Sequence, residues 1–399
     1  MGINYAPDST GIAPYNTALA ESIRDAGAEV HVITGLPHYP EWKLKDPQYR
    51  KGSRWAEVNS GVKVTRLRHH IPSRTNLIER GRMEASFLAR AASTVRGDNS
   101  DVIIAVTPSL SGLAAGVYGK KRRPLGVVVQ DLTGNAAVES GTTGGSASRA
   151  IANYEYSLLR KADTVGVITP QFGRVLTARG VAAHRIADVP NFTHITPTDA
   201  TKDTARRRLG WPSEDYLVVH TGNMGMKQGL ETVVDAARLS FAQGSPVTFV
   251  LVGDGNQRSA LKELAGDLPT LRFVDPLNAE DYPFALAAAD ALLLNERPGV
   301  LEMSLPSKLT SYSSANRAII AAVEPSGITH AVLSADSAAL MTRPGSAVEL
   351  LNAATLLADD IDFAVELGKR SVAMHKTRYS AAGARSRYVS FAQRLGDMT

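Results

Sequence analysis

The sequence predicts an α/β protein built from two doubly wound domains, on three observations. Short apolar runs recur along the chain, helical stripes lie between them, and a polar stretch near the middle separates one series from the next. The runs stand at 30–33, 102–106, 126–129, 164–168, 216–219, 247–252, 290–294 and 318–323. They are continuously apolar rather than alternating, as expected of parallel strands buried on both faces. Between them, Tyr15, Leu19, Ser22, Ile23 and Ala26 fall on one helical face, and Gly27 stops that helix. Leu230, Val233, Val234, Ala237 and Phe241 form a second stripe. Strand and helix alternating in this way define a doubly wound, Rossmann-like architecture.

The boundary follows from composition. Pro190-Asn191-Phe192-Thr193 closes the first series, the polar stretch from Thr198 to Arg208 follows, and a new strand opens at Tyr216. The domains are therefore placed at 1–195 and 205–377, facing each other across a cleft. Residues 378–399 carry Tyr388, Phe391 and Leu395 on one helical face with no strand after them. They are expected to pack back on the first domain. The first strand has little room, because Met1-Gly2-Ile3-Asn4-Tyr5 runs straight into Ala6-Pro7-Asp8. Either that strand is short or a few residues are missing ahead of it.

Composition narrows the function. With 399 residues and 44% hydrophobic content the chain can bury two cores. The absence of cysteine excludes disulfides, thiolate zinc sites and a cysteine nucleophile. No apolar run approaches the ~20 residues of a spanning helix, and no signal peptide precedes the first motif. A cytoplasmic location, at the inner face of the membrane if the protein is peripheral, is the expectation. The net charge is +5. Arg66, Arg68, Arg74, Arg80 and Arg82, then Lys120, Lys121, Arg122 and Arg123, concentrate positive charge in the first half. This is either a solvated surface or a contact for an anionic membrane or a phosphate-bearing acceptor. No nucleic-acid motif accompanies it.

Five motifs carry chemistry. Asp8-Ser9-Thr10-Gly11-Ile12-Ala13 lies between strand and helix, where a small-residue turn lets amides approach an anion. Gly222-Asn223-Met224-Gly225-Met226-Lys227-Gln228-Gly229 follows the strand ending at His220, and Lys227 can reach a diphosphate as a point charge. Gly253-Asp254-Gly255 makes a tight turn at a strand's carboxyl end, where open α/β sheets bind ligands. Pro306-Ser307-Lys308-Leu309-Thr310 reads as a helix start running to about Asn316, its amides from Ser307 to Thr310 and the Lys308 ammonium facing an anion. Asp131, after Gln130, ends the 126–129 strand, where a carboxylate can orient an acceptor hydroxyl or take its proton. The loop Gly35-Leu36-Pro37-His38-Tyr39-Pro40-Glu41-Trp42 offers His38 and aromatic faces to a sugar or acceptor, with Arg82 as a further acceptor contact. His69-His70 has no carboxylate at ligand spacing and reads as structural. Asp360-Ile361-Asp362 mimics a metal-binding D-x-D but sits far from any strand end. No metal site and no cofactor are expected.

Together these segments resemble the retaining glycosyltransferases of family four, with the GT-B fold, over essentially the whole length. The carrying segments are YAPDSTGIAPYNTALAESI, TGLPHYPEWK, VVVQDLTGN, the Pro190-Asn191-Phe192 hinge, GNMGMKQGLETVVDAA, LVGDGN and LPSKLTSY. The likeness is nearest to the bacterial branch that builds capsule, O-antigen or colanic-acid-like polysaccharides. It implies a UDP-, GDP- or dTDP-sugar donor in the C-terminal domain and a glycan or lipid-linked acceptor in the N-terminal one. It further implies that Lys227 contacts the donor diphosphate, that Gly253–Gly255 borders the nucleotide and that Asp275-Pro276-Leu277 reads the base. Pro306–Thr310 becomes the diphosphate cradle. Many members carry two glutamates eight residues apart before and inside that helix. Here Met303 and Ser311 take those positions, with Glu296 and Glu302 out of register. The implied activity is metal-independent, retaining glycosyl transfer. A nucleotide-sugar epimerase, a phosphorylase and a catalytically silent nucleotide-sugar binder share the architecture. The missing dinucleotide fingerprint argues against an NAD enzyme.

Overall fold

A computed structural model describes residues 1–8, 11–39, 41–44, 46–73, 76–132, 145–301 and 305–399. Ser9, Thr10, Pro40, Arg74, the segment from Thr133 to Gly144 and Glu302, Met303 and Ser304 lie outside the described residues. The chain forms two compact units: Met1–Phe192 with Ala381–Thr399, and Thr193–Ser380.

In the first unit, β1 (His31–Gly35) pairs in parallel with β3 (Val62–Leu67), which pairs antiparallel with β2 (Arg54–Asn59). This hairpin was not anticipated from the sequence. Ser60 and Gly61, both at positive φ, link Asn59 to its partner Val62. That is the two-residue turn whose twist suits paired strands, and a Ser-Gly pair is an inconspicuous signal for it. A second, all-parallel sheet runs β4 (Ile103–Val106), β5 (Leu125–Val129), β6 (Thr164–Val167) and β7 (Ile186–Asp188). Met1–Ile3 ties β1 to β4: Gly2 N–H donates to the Ile33 carbonyl, Gly35 N–H to that of Ile3, and Val106 N–H to that of Met1. Around the sheets lie α1 (Ala13–Asp25), α2 (Leu77–Gly97), α3 (Leu110–Gly119), α4 (Gly145–Leu159), α5 (Pro170–Ala178) and the last helix, α14 (Ala381–Gly396). Tyr388, Phe391 and Leu395 of α14 join Tyr15, Leu19, Val128 and Val189 in one buried cluster. Gly126 and Gly166 make room for it, since a Cβ on Gly126 would come within 2.5 Å of Leu395.

In the second unit a single parallel sheet has the order β10 (Leu271–Val274), β9 (Val247–Val252), β8 (Tyr216–Thr221), β11 (Ala291–Asn295), β12 (Ala318–Ala322), β13 (Leu340–Thr342). Its helices are α6 (Lys202–Leu209), α7 (Glu231–Gln243), α8 (Arg258–Ala265), α9 (Tyr282–Ala288), α10 (Ser307–Ser314), α11 (Ile328–Ala335), α12 (Ala347–Asp359) and α13 (Ile361–Met374). The continuously apolar runs form the central strands, fully buried along β9 and β11. Leu230, Val233, Val234 and Ala237 pack on them, whereas Phe241, read as part of that stripe, is exposed. Chain order reverses between β8 and β11. Loops leaving these neighbours diverge to opposite faces, and the crevice at their carboxyl ends is where doubly wound sheets bind ligands.

Candidate active site

The crevice beside β8 is assembled from two glycine turns packed backbone to backbone. Gly222 N–H donates to the Val252 carbonyl at 2.8 Å, Met224 N–H to that of Asp254 at 2.8 Å, and Gly253 N–H to that of Val274 at 2.9 Å. Gly253 has φ +135°, and a Cβ there would lie 2.1 Å from the Gly222 carbonyl oxygen. A Cβ on Gly255 would lie 2.5 Å from that of Met224. Only glycine allows this approach. Asp254 is exposed, and its Oδ1 accepts from Gly255 N–H at 2.8 Å.

Lys227 sits in a single 3-10 turn, Met226–Gln228, stopped by left-handed Gly229. Gln228 Oε1 accepts from Gly225 N–H, and the Lys227 carbonyl accepts from Arg297 N–H at 2.8 Å. Asn295, the last residue of β11, donates to the carbonyls of Gln228 and Gly229. The loop after β8 is thus fastened to the loop after β11. The half-buried Lys227 stands on the former, and the latter leads into α10.

Helix α10 begins at Ser307, with Pro306 at its cap and no side-chain cap. It is shorter than read from sequence, ending at Ser314. Leu309 N–H donates to the Pro306 carbonyl at 2.9 Å, which withdraws it from the expected set of anion-facing amides. The Leu309 and Thr310 side chains are buried and anchor the helix, whereas Ser307 is exposed. A Cβ on Gly222 would stand 3.8 Å from Lys308 Nζ, so the glycine turn and this ammonium share one spot.

Sequence reasoning missed what holds α10 there. Fully buried His220, next to last in β8, has its Nδ1 3.2 Å from the Leu293 carbonyl and its Nε2 3.0 Å from Lys308 Nζ. Burial, then the Lys308 charge, pushes this imidazole well below its ordinary pKa. Thr221 N–H donates to Tyr312 Oη at 2.7 Å, and Thr221 Oγ1 meets Tyr282 Oη at 2.9 Å. Ser311, where a family glutamate would stand, is buried 3.3 Å from Tyr282 Oη, and its hydroxyl donates to the Lys308 carbonyl. Glu296 is buried and accepts from Thr329 Oγ1 at 3.0 Å. The spacing of Lys308 and Tyr312, one helical turn apart, was the available signal. Pro276 and Leu277 lie with Trp211, Phe273 and Asp275 around a surface dent of about 560 Å³ beside β10.

The first unit gathers a separate cluster after Ile3 and β1. His38 is buried, donates from Nδ1 to the Leu36 carbonyl at 2.8 Å and packs edge-on against His69 with ring centres 5.0 Å apart. Gly11, at φ +65°, lies against Tyr39, which packs on Trp42. Burial pushes the Asp8 carboxyl above its ordinary pKa, while His38, the Asn4 amide and the Tyr39 backbone pull it back. Asp131 stands half-buried after β5, its carbonyl accepting from Thr107 Oγ1.

Three readings change. His70 does have a carboxylate partner, Glu79 in the first turn of α2, at 2.7 Å. Arg82, read as an acceptor contact, pairs with that same Glu79 one helical turn away. Several members of the basic set serve the fold. Arg66 is buried against Glu57 and the Ala6 carbonyl, Arg68 holds the Tyr49 and Arg50 carbonyls, Lys120 pairs with Asp163, and Arg123 caps α2 and α3. Asp360 is the N-cap of α13, its carboxylate accepting from Phe363 N–H. Among the described residues no group of acidic or histidine side chains could hold a metal ion, and no helix is long and apolar enough to cross a membrane.

Comparison with known proteins agrees with this architecture. Residues 10–191 match the model of the glycosyl transferase 4-like domain, and residues 215–360 that of glycosyl transferases group 1. The putative colanic acid biosynthesis glycosyl transferase WcaI of Escherichia coli K12 is 29% identical over 329 residues, 78% of this chain and 79% of that protein. Among solved structures, sucrose-phosphate synthase from Thermosynechococcus elongatus superposes with a TM-score of 0.74 at 18% identity, covering 100% of this chain and 99% of its own. Anabaena HepE in complex with UDP-glucose gives 0.70 at 16% identity, covering 99% and 98%. The chain belongs to the family-four-like glycosyltransferases of the GT-B fold.

Proposed function

We propose that this glycosyltransferase moves a sugar, with retention and without a metal, from a nucleoside-diphosphate donor to a hydroxyl of a glycan or lipid-linked acceptor in cell-surface polysaccharide synthesis. The observation that carries the donor site is the Lys308 ammonium at the start of α10, beside the Gly222 turn at the sheet's switch point. Lys308, Lys227 and the first amides of α10 take up the charge that develops on the departing diphosphate. The two glycine turns let backbone approach the phosphates. The dent beside Pro276 and Leu277 takes the base. In the first unit, His38, Tyr39 and Asp131 contact the acceptor, and Asp131 orients its hydroxyl. The likeness to the colanic acid enzyme supports the polysaccharide setting, and the UDP-glucose complex of HepE supports a nucleotide-sugar donor.

The test is Lys308→Ala. Turnover should fall by about two orders of magnitude or more, the scale of losing one transition-state charge partner, with circular dichroism and melting temperature unchanged. Wild-type turnover in that variant would remove Lys308 from the site. Incubation with donor alone separates the rival reading: epimerised sugar would identify an epimerase.

A further inference from the structure

We propose that the cluster after Ile3 and β1 is a subsite for an uncharged sugar ring of the acceptor, with Trp42 as its stacking surface and Asp8 as the acceptor of its hydroxyl protons. This rests on the glycosyltransferase reading given above and names the class of acceptor unit that the first unit takes. Asp8 stands at the end of a turn closed by its own N–H on the Tyr5 carbonyl at 3.2 Å. Its half-buried carboxylate accepts from the Tyr39 backbone N–H and lies 3.5 Å from the Asn4 amide nitrogen. Both donors are neutral, and two donors do not exhaust the roughly four acceptor sites of a carboxylate. A phosphate or a uronate set beside Asp8 would meet a like charge, whereas a sugar hydroxyl would gain a charge-assisted bond. Trp42 supplies the other half. It is half-exposed and left-handed at φ +54°, a conformation that a bulky side chain rarely adopts. The Lys43 N–H, donating to the His38 carbonyl at 3.2 Å, closes the loop around it. Glycine would take this backbone freely, so the chain keeps a large ring where local conformation disfavours one, and such outliers gather at ligand sites. The indole packs at 85° to Tyr39 with ring centres 5.8 Å apart, and its centre lies 5.4 Å from that of buried His38. Tyr39 joins the two halves, since its ring touches Trp42 and its backbone N–H holds Asp8. A pyranose has the matching chemistry: an apolar C–H face for an aromatic ring and a rim of hydroxyl donors for a carboxylate.

The methyl α-glycosides of glucose, galactose and mannose are titrated into the full chain by saturation-transfer NMR. UDP, GDP or dTDP, whichever binds tightest by calorimetry, is present at saturation to fill the donor site. At least one glycoside should bind, and inorganic phosphate should not displace it. Trp42→Gly suits the left-handed backbone, so the melting temperature should hold or rise while glycoside affinity falls about tenfold. Trp42→Phe should stay within about threefold of wild type. Asp8→Asn should weaken glycoside binding about tenfold, the scale of losing a hydrogen bond to a charged group. Nucleotide affinity should be unchanged in all three. If none of the three nucleotides binds, the glycosyltransferase reading itself fails. The donor site stands and the sugar subsite is overturned if a nucleotide binds but no glycoside does, or if phosphate displaces the glycoside. The same holds if Trp42→Gly leaves glycoside affinity unchanged, or if Trp42→Phe loses as much as Trp42→Gly. If Trp42→Gly does not fold, Asp8→Asn decides: unchanged glycoside affinity at an unaltered melting temperature also overturns it.

Discussion

The backbone amide of Thr221 donates to the phenol oxygen of Tyr312 at 2.7 Å, joining the carboxyl end of β8 to the interior face of α10. Tyr312 is fully buried, and its oxygen also accepts from Thr221 Oγ1 at 3.2 Å. One phenol thus sets the depth at which the helix, and with it Lys308, meets the glycine turn. Tyr312→Phe keeps the ring packing but leaves a buried amide without its partner, at a cost of about 1–3 kcal/mol. Urea denaturation should register that loss, and turnover should fall with it because α10 is no longer seated. Turnover at wild-type level with lowered stability would show that the helix start tolerates displacement.

Two glycines test whether the turn is built by close approach or by backbone conformation alone. Gly253→Ala drives a methyl to within 2.1 Å of the Gly222 carbonyl, so the two turns must separate. Gly244, left-handed at φ +63°, has nothing within 4 Å of its Cβ position, and Gly244→Ala carries only the left-handed penalty of about 1–2 kcal/mol. The first should cost clearly more in thermal unfolding and reduce nucleotide binding. The second should leave binding untouched. Equal effects would mean the stacked turns do not form as described.

Acid should loosen the first unit through His69. Burial, with the neighbouring His38 second, pushes its pKa down to about 4 from an ordinary value of 6.5. The fold therefore favours the neutral ring. Its contribution is complete above pH 6.5 and is lost as pH falls toward 4, at about 1.4 kcal/mol per pH unit. Between pH 7 and pH 5 this is about 2 kcal/mol. His69→Asn, which retains a donor for the His70 carbonyl bonded by Nδ1, should flatten that part of the stability–pH curve. A curve with unaltered slope would assign the acid sensitivity to other groups.

The continuous apolar runs determined by themselves where the central strands lie, because a strand buried on both faces has no polar alternative. The glycine turns were legible for a similar reason: only residues without a Cβ tolerate such approach. The shorter elements escaped. β7, β10 and β13 have three or four residues each and too little periodicity to register, and the hairpin of β2 and β3 hides behind a plain Ser60-Gly61 turn. At the site, Lys227 and Lys308 could be read from charge beside glycine or a helix start. His220 and Tyr282 could not, since a buried polar side chain looks like any core residue until its partner is known, and Tyr312 was marked only by its spacing of one helical turn from Lys308. Those partners come from separate elements, β8, α9 and α10, 61 to 91 positions apart along the chain. Local sequence encodes secondary structure and conformational licence. Which hydrogen-bonding groups meet inside the crevice is decided by strand order, and only the folded sheet brings β8 beside β11.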